Sequence, residues 1–267
     1  MRQDREMPDV RLDYAPILEE LLAVYPRALA DGLTLRSGYT RIGHVLHGWY
    51  MRCHRGAEAV MVLDAAGFQG EAAGIRRSVI EHVVALRWLA ARGDDLVDPL
   101  ARGHAYPLER LRDALETAGW TSVSGAELEA AIASTNREER DRQDDHLLRF
   151  ANMQREYGDP NTLPGYLTEV QLVHPTYRSA ASYFQSNLAG SVRLLSENRD
   201  ALPQAGFATV HVLEALVCVN EALVGAPLED VLDGLTIRFR EVTDRVRAQE
   251  GLPRADWGVA VGDDRRP

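Results

Sequence analysis

The chain has 267 residues, 45% of them hydrophobic and 26% charged, and a formal net charge of -10; it can bury a substantial core and has no global basic field to gather nucleic acid. All 30 basic residues are arginine, which excludes a lysine Schiff base, a lysine general base and the P-loop lysine, and with them pyridoxal enzymes, lysine aldolases and ordinary P-loop NTPases. Cys53 and Cys218 lack the spacing of a zinc ribbon or a disulfide framework, and the cofactor is left open.

Residues 14 to 31 carry Ile17, Leu18, Leu21, Leu22, Tyr25 and Leu29 at three- and four-residue steps before Gly32, so they predict a first helix, with Pro26 as a kink point. Thr40 is the expected N-cap of a second helix running toward Gly67. A third, from about Glu71 to Gly93, is apolar around most of its circumference and is expected in the core. Beyond it the sequence predicts a break near Pro107, then a long helix from a capping box at Ser124 and Glu127 as far as Gly158, with the polar middle TNREERDRQDD. GDPNTLPG, 158 to 165, reads as a loop and the best boundary candidate.

The segments HPTYRSAASYFQSNLAGSVRLLSEN, FATVHVLEALVCVNEALVG and PLEDVLDGLTIRFREVTDRVRAQEG are helical by period. No convincing alternating strand is visible. The expected fold is all-α, a single bundle of seven to nine helices with long antiparallel core helices. Its expected organisation is an N-terminal helix and connection over 1–39, a bundle core over 40–251 and a loosely held tail over 252–267. The charged start MRQDREMPDV has no apolar signal core, and the most apolar window, 207 to 225, contains His211, Glu214, Asn220 and Glu221. A cytoplasmic protein without a membrane span is therefore expected.

Three constellations could carry chemistry. His44, His47, Met51, His54 and Glu58 fall on one stripe of the second helix, and His211, Glu214, Cys218 and Glu221 on one stripe of a later helix; facing each other, they could supply a metal site built on His44, His47, His54 and Glu58. No Glu-x-x-His pair occurs, which disfavours a di-iron carboxylate bundle. Arg77 and Glu81 stand one turn apart on the most apolar helix. Such a pair either closes a polar gap between helices or points a guanidinium at a phosphate or carboxylate. Arg140 and His146 could hold and cleave a scissile phosphate, although the carboxylates around them would repel a nucleic-acid backbone.

The stretches GIRRSVIEHVVALRWLA, 74 to 90, and HPTYRSAASYFQSN, 174 to 187, resemble a broad bacterial family of helical domains of unknown function. Its pattern is an Arg-Ser-x-x-Glu helix leading into an aromatic residue, followed downstream by a Tyr and a Ser, here matched by Arg77, Ser78, Glu81, Trp88, Tyr177 and Ser182. Gln185 stands where that family often carries a histidine. The chain is also distantly similar to the HEPN class of helical domains, which implies a nucleotide-binding, toxin or RNA-cleaving role. Together these features predict a polar pocket between helices lined by Arg77, Glu81, Tyr177 and Ser182 that takes a small anionic or nucleotide-like ligand. A metal-dependent enzyme, a HEPN-like ribonuclease and a non-catalytic homodimeric interaction module are the alternatives. Nucleic acid is disfavoured as a partner by the acidic charge, and the chain does not settle whether the protein is an enzyme.

Overall fold

The computed structural model describes residues 11–119, 130, 145–186, 191–196 and 204–255. It is an all-α bundle, as the hydrophobic periodicity predicts. Helix α1, Arg11–Asp31, buries Tyr14, Ile17, Leu18, Leu21 and Tyr25, one stripe at helical spacing. Gly32, at φ +90, ends it, a conformation that a residue with a Cβ adopts at a cost. Both Pro16 and Pro26 lie inside the helix.

Helix α2, Gly43–Ala65, turns its buried residues Leu46, Tyr50, Cys53, Ala57 and Val60 toward the core. Its start differs from expectation. Thr40 is not its N-cap; the Asp94 carboxylate reaches across from the end of the next helix, and its Oδ1 accepts from the amides of Arg41 and Ile42 at 2.9 Å each. Helix α3, Ala73–Arg92, runs back beside α2. The two come so close at Gly56 that a Cβ there would sit 2.6 Å from Val79 Cγ2. More than half of α3 is buried, including Val79, Ile80, Val83, Leu86, Trp88 and Leu89, which makes it the central element.

Helix α4, Val97–Thr117, passes through Pro107 without the predicted break. One turn earlier it is held from outside: Arg102 Nη2 meets Asp145 Oδ1 at 2.7 Å, and Leu148 packs directly on Gly103, where an added Cβ would sit 2.8 Å from Leu148 Cδ2. These contacts fix the turn whose carbonyls the proline would otherwise loosen. The long helix predicted from Ser124 to Gly158 falls mostly outside the described residues. Its end is broken: a 3-10 turn, Asp145–Leu148, and an extended Arg149 precede α5, Phe150–Tyr157.

The loop expected over 158–165 is shorter, because α6, Thr162–Val173, begins inside it with Pro164 in its first turn, where a missing N–H costs nothing. The segment 174–187 is not a continuous helix. A Thr176–Ser179 capping box starts the five-residue α7, Tyr177–Ala181, and a two-stranded antiparallel hairpin follows, β1 (Phe184–Ser186) on β2 (Val192–Leu194), with Gln185 opposite Arg193. Helix α8, Gln204–Glu221, buries residues on nearly every side. Helix α9, Glu229–Gln249, completes the described bundle.

Helix α8 packs on α1, α2, α3 and α9, and α6 packs on α3. An antiparallel bridge between Leu35 and Leu223, with Val224 N–H donating to the Thr34 carbonyl at 2.9 Å, ties the α1–α2 connection to the α8–α9 turn. No helix of the described residues is long and apolar enough to cross a membrane.

Candidate functional site

Arg76 and Arg77 are neighbours on α3, and a helix turns by about 100° per residue, so they cannot share an environment. Arg76 points inward, 1% exposed. Its Nε and Nη2 donate to the two oxygens of Glu169 on α6, each at 2.8 Å. Its Nη1 donates to the Gln69 carbonyl at 2.6 Å and to Gln204 Oε1, at the start of α8, at 3.0 Å. A buried charge costs several kcal/mol unless paired and hydrogen-bonded (about 3–5 when a partner is lost), and here a bidentate fork and two neutral acceptors surround it. Sequence reasoning missed this network. A signal existed, because Val79, Ile80 and Val83, three, four and seven residues on, place Arg76 on the buried stripe.

Arg77 lies in the seam between α3 and α6, with its side chain 28% exposed and that of Glu81 31% exposed. Its Nε donates to Glu81 Oε1 at 2.9 Å, the one-turn ion pair that the spacing predicts. From α6, the Tyr166 hydroxyl donates to the same Oε1 at 3.2 Å, and the Tyr166 ring lies 5.8 Å from the guanidinium carbon. Arg77 Nη1 is 3.2 Å from His174 Nε2; a guanidinium has no acceptor, so His174 accepts and carries its proton on Nδ1. The hydrogen bond that Arg77 donates to Glu81 raises the Arg77 pKa above its ordinary value, while burial foremost, and Glu81 after it, raise that of the Tyr166 phenol.

His82 adjoins this group. Its Nδ1 donates to the Ser78 carbonyl at 2.7 Å, which leaves Nε2 with the lone pair. Burial holds its pKa below the usual histidine range, and Arg52 on α2 adds to the effect.

The expected partners Tyr177 and Ser182 stand elsewhere. Tyr177 is 78% exposed and packs edge-on against Phe184, with ring centroids 5.8 Å apart; no hydrogen bond joins it to Arg77 or Glu81. Ser182 is buried at the end of α7. Tyr166 and His174 meet the Arg77–Glu81 pair instead. Trp88 is fully buried in the core.

The histidine stripe resolves into separate pairs. His44 is exposed, His47 Nδ1 meets the Tyr25 hydroxyl at 2.9 Å, and His54 Nδ1 meets the Tyr50 hydroxyl at 3.2 Å, with its Nε2 3.7 Å from Glu58. On α8, His211 donates from Nδ1 to the Phe207 carbonyl at 2.9 Å and stacks on the Phe207 ring, which leaves Nε2 buried without a hydrogen-bond partner. Helices α2 and α8 do pack together, but among the described residues no three His, Cys, Asp or Glu side chains gather into a group that could hold a metal ion. Burial pushes both thiols up, Cys218 to about 12, so neither is a ready thiolate. His146 pairs with Glu156 at 3.6 Å, and Arg140 lies outside the described residues.

An all-α bundle with a partly exposed polar seam between its central helix and α6 is the class that fold and site define. The family model described as a family of unknown function, DUF5677, matches residues 43–191, from the first residue of α2 to the residue before β2, and the chain belongs to that family. Comparison with curated proteins and with solved structures gives no match.

Proposed function

We propose that the α3–α6 seam binds a small anionic ligand, the phosphate or carboxylate of a nucleotide-like molecule, with Arg77 as the anion contact. The observation that carries this is the state of Arg77: Glu81, Tyr166 and His174 fix its direction, yet their hydrogen bonds use only Nε and Nη1 of a five-donor fork. A guanidinium already oriented loses little freedom on binding, which favours a bidentate anion contact. The protonated Nδ1 of His174 is a further donor.

Calorimetric titration with inorganic phosphate, mononucleotides and small carboxylates tests this. Saturable binding is expected, weakened about tenfold or more by Arg77→Ala, the effect of losing one charge-assisted contact. Equal responses from wild type and Arg77→Ala, or no response from either, overturn it.

A second function, acid–base cleavage of a phosphodiester of the HEPN kind, is favoured by His82. This histidine is held neutral by burial, and its Nδ1–H···O bond to Ser78 leaves the Nε2 lone pair unused; a neutral imidazole is the group that general base catalysis uses. The net charge of -10 weighs against a polynucleotide substrate. Adding single-stranded RNA to the same series separates the two: cleavage lost in His82→Ala while phosphate binding persists identifies the catalytic function, and intact RNA removes it.

A further inference from the structure

Between the C-terminal half of α1 and the α8–α9 turn lies an open groove of about 490 Å³. Its apolar lining comes from Val24 and Ala28 on α1, Leu33 and Val224 beside the Leu35–Leu223 bridge, and Pro227 and Val231 at the start of α9. Val224 is 56% exposed. Positions 24, 27, 28 and 31 form one stripe of α1, so Arg27 and Asp31 share the groove wall with Val24 and Ala28. Both are exposed, and among the described residues neither makes a hydrogen bond or an ion pair.

We infer that this groove is covered by a second copy of the chain, as a two-fold homodimer in which the C-terminal halves of α1 cross antiparallel. In an isologous contact each residue meets its counterpart's partner. An unpaired Arg and an unpaired Asp one turn apart satisfy that requirement by themselves, because reversal about a two-fold midway between them sets Arg27 opposite the other copy's Asp31, and Asp31 opposite its Arg27. The small Ala28 beside the crossing point allows the close approach, and the aliphatic lining supplies an apolar centre within a charged rim, the usual anatomy of such contacts. The inference is independent of the anion site, which lies on α3 and α6.

Sedimentation velocity and light scattering on the full chain test it. The wild type is expected to dimerise with concentration. Arg27→Glu alone and Asp31→Arg alone, each setting like charges opposite, are expected to weaken the dimer at least tenfold, and the exchanged double variant R27E/D31R is expected to recover it. All three changes are on exposed side chains, and circular dichroism checks the fold; Val224→Glu, also exposed, gives a further variant that should dissociate. A wild type monomeric at every concentration overturns the inference, as do single reversals without effect or a double variant as dissociated as the singles. Saturable binding of a small apolar molecule in the groove without self-association does so as well.

Discussion

Two adjacent arginines on α3 stand in different surroundings. Arg76 is enclosed by Glu169, Gln69 and Gln204, so Glu169→Ala should cost about 3–5 kcal/mol by stranding a buried cation. Arg77, paired at a partly exposed seam, should cost less than about 1 kcal/mol when changed to Ala. Urea denaturation of the two variants measures the difference, and equal losses would refute it. The Arg-Ser-x-x-Glu motif made Arg77 and Glu81 visible in the sequence because they sit on one helix one turn apart. Tyr166 and His174 were not visible, because they reach the pair across 85 and 97 residues and no local pattern encodes which helix lies beside α3. Tyr177 drew attention as a tyrosine in a motif, yet the chain turns at Thr176 and carries its ring away to Phe184.

Among the elements, α1, α2, α3, α8 and α9 were legible because each buries a continuous apolar stripe, and period alone suffices for such helices. What failed was punctuation. Thr40 resembles an N-cap, but Asp94 caps the two amides that open α2 from more than fifty residues away. Proline 107 resembles a break, but the contacts of Arg102 and Gly103 with the 145–148 turn hold α4 together. The hairpin strands are three residues long, too short for alternation to register. Asp94→Ala should therefore destabilise the protein by about 1 kcal/mol, within the roughly 0.5–2 kcal/mol of a lost helix cap, read as a lower midpoint of chemical denaturation. Asp94→Asn, which keeps an accepting oxygen, should retain most of that stability.

For the molecule as a whole, acidity is the condition to vary. Burial lowers the pKa of His54, His82 and His211 below the ordinary value of 6.5, so below that pH the unfolded chain takes up protons that the folded chain resists. The stability that these neutral rings contribute is fully present above about pH 6.5 and is lost as pH falls through their folded values. A melting temperature that drops between pH 7.5 and 5 is expected. His211→Phe, which keeps a ring against Phe207 and removes a proton acceptor, should blunt the drop; a temperature indifferent to acid over that range would contradict the burial of all three.

The Arg76–Glu169 bond also limits how α6 can move. An apolar contact can slip by degrees, but a guanidinium and a carboxylate in a dry interior lose nearly all their attraction once water enters between them. Displacement of α6 from α3 is therefore resisted by the bidentate pair. Tyr166 and Glu169 ride on the same twelve-residue helix, so a change that parts Glu169 from Arg76 also draws Tyr166 away from the Arg77–Glu81 pair.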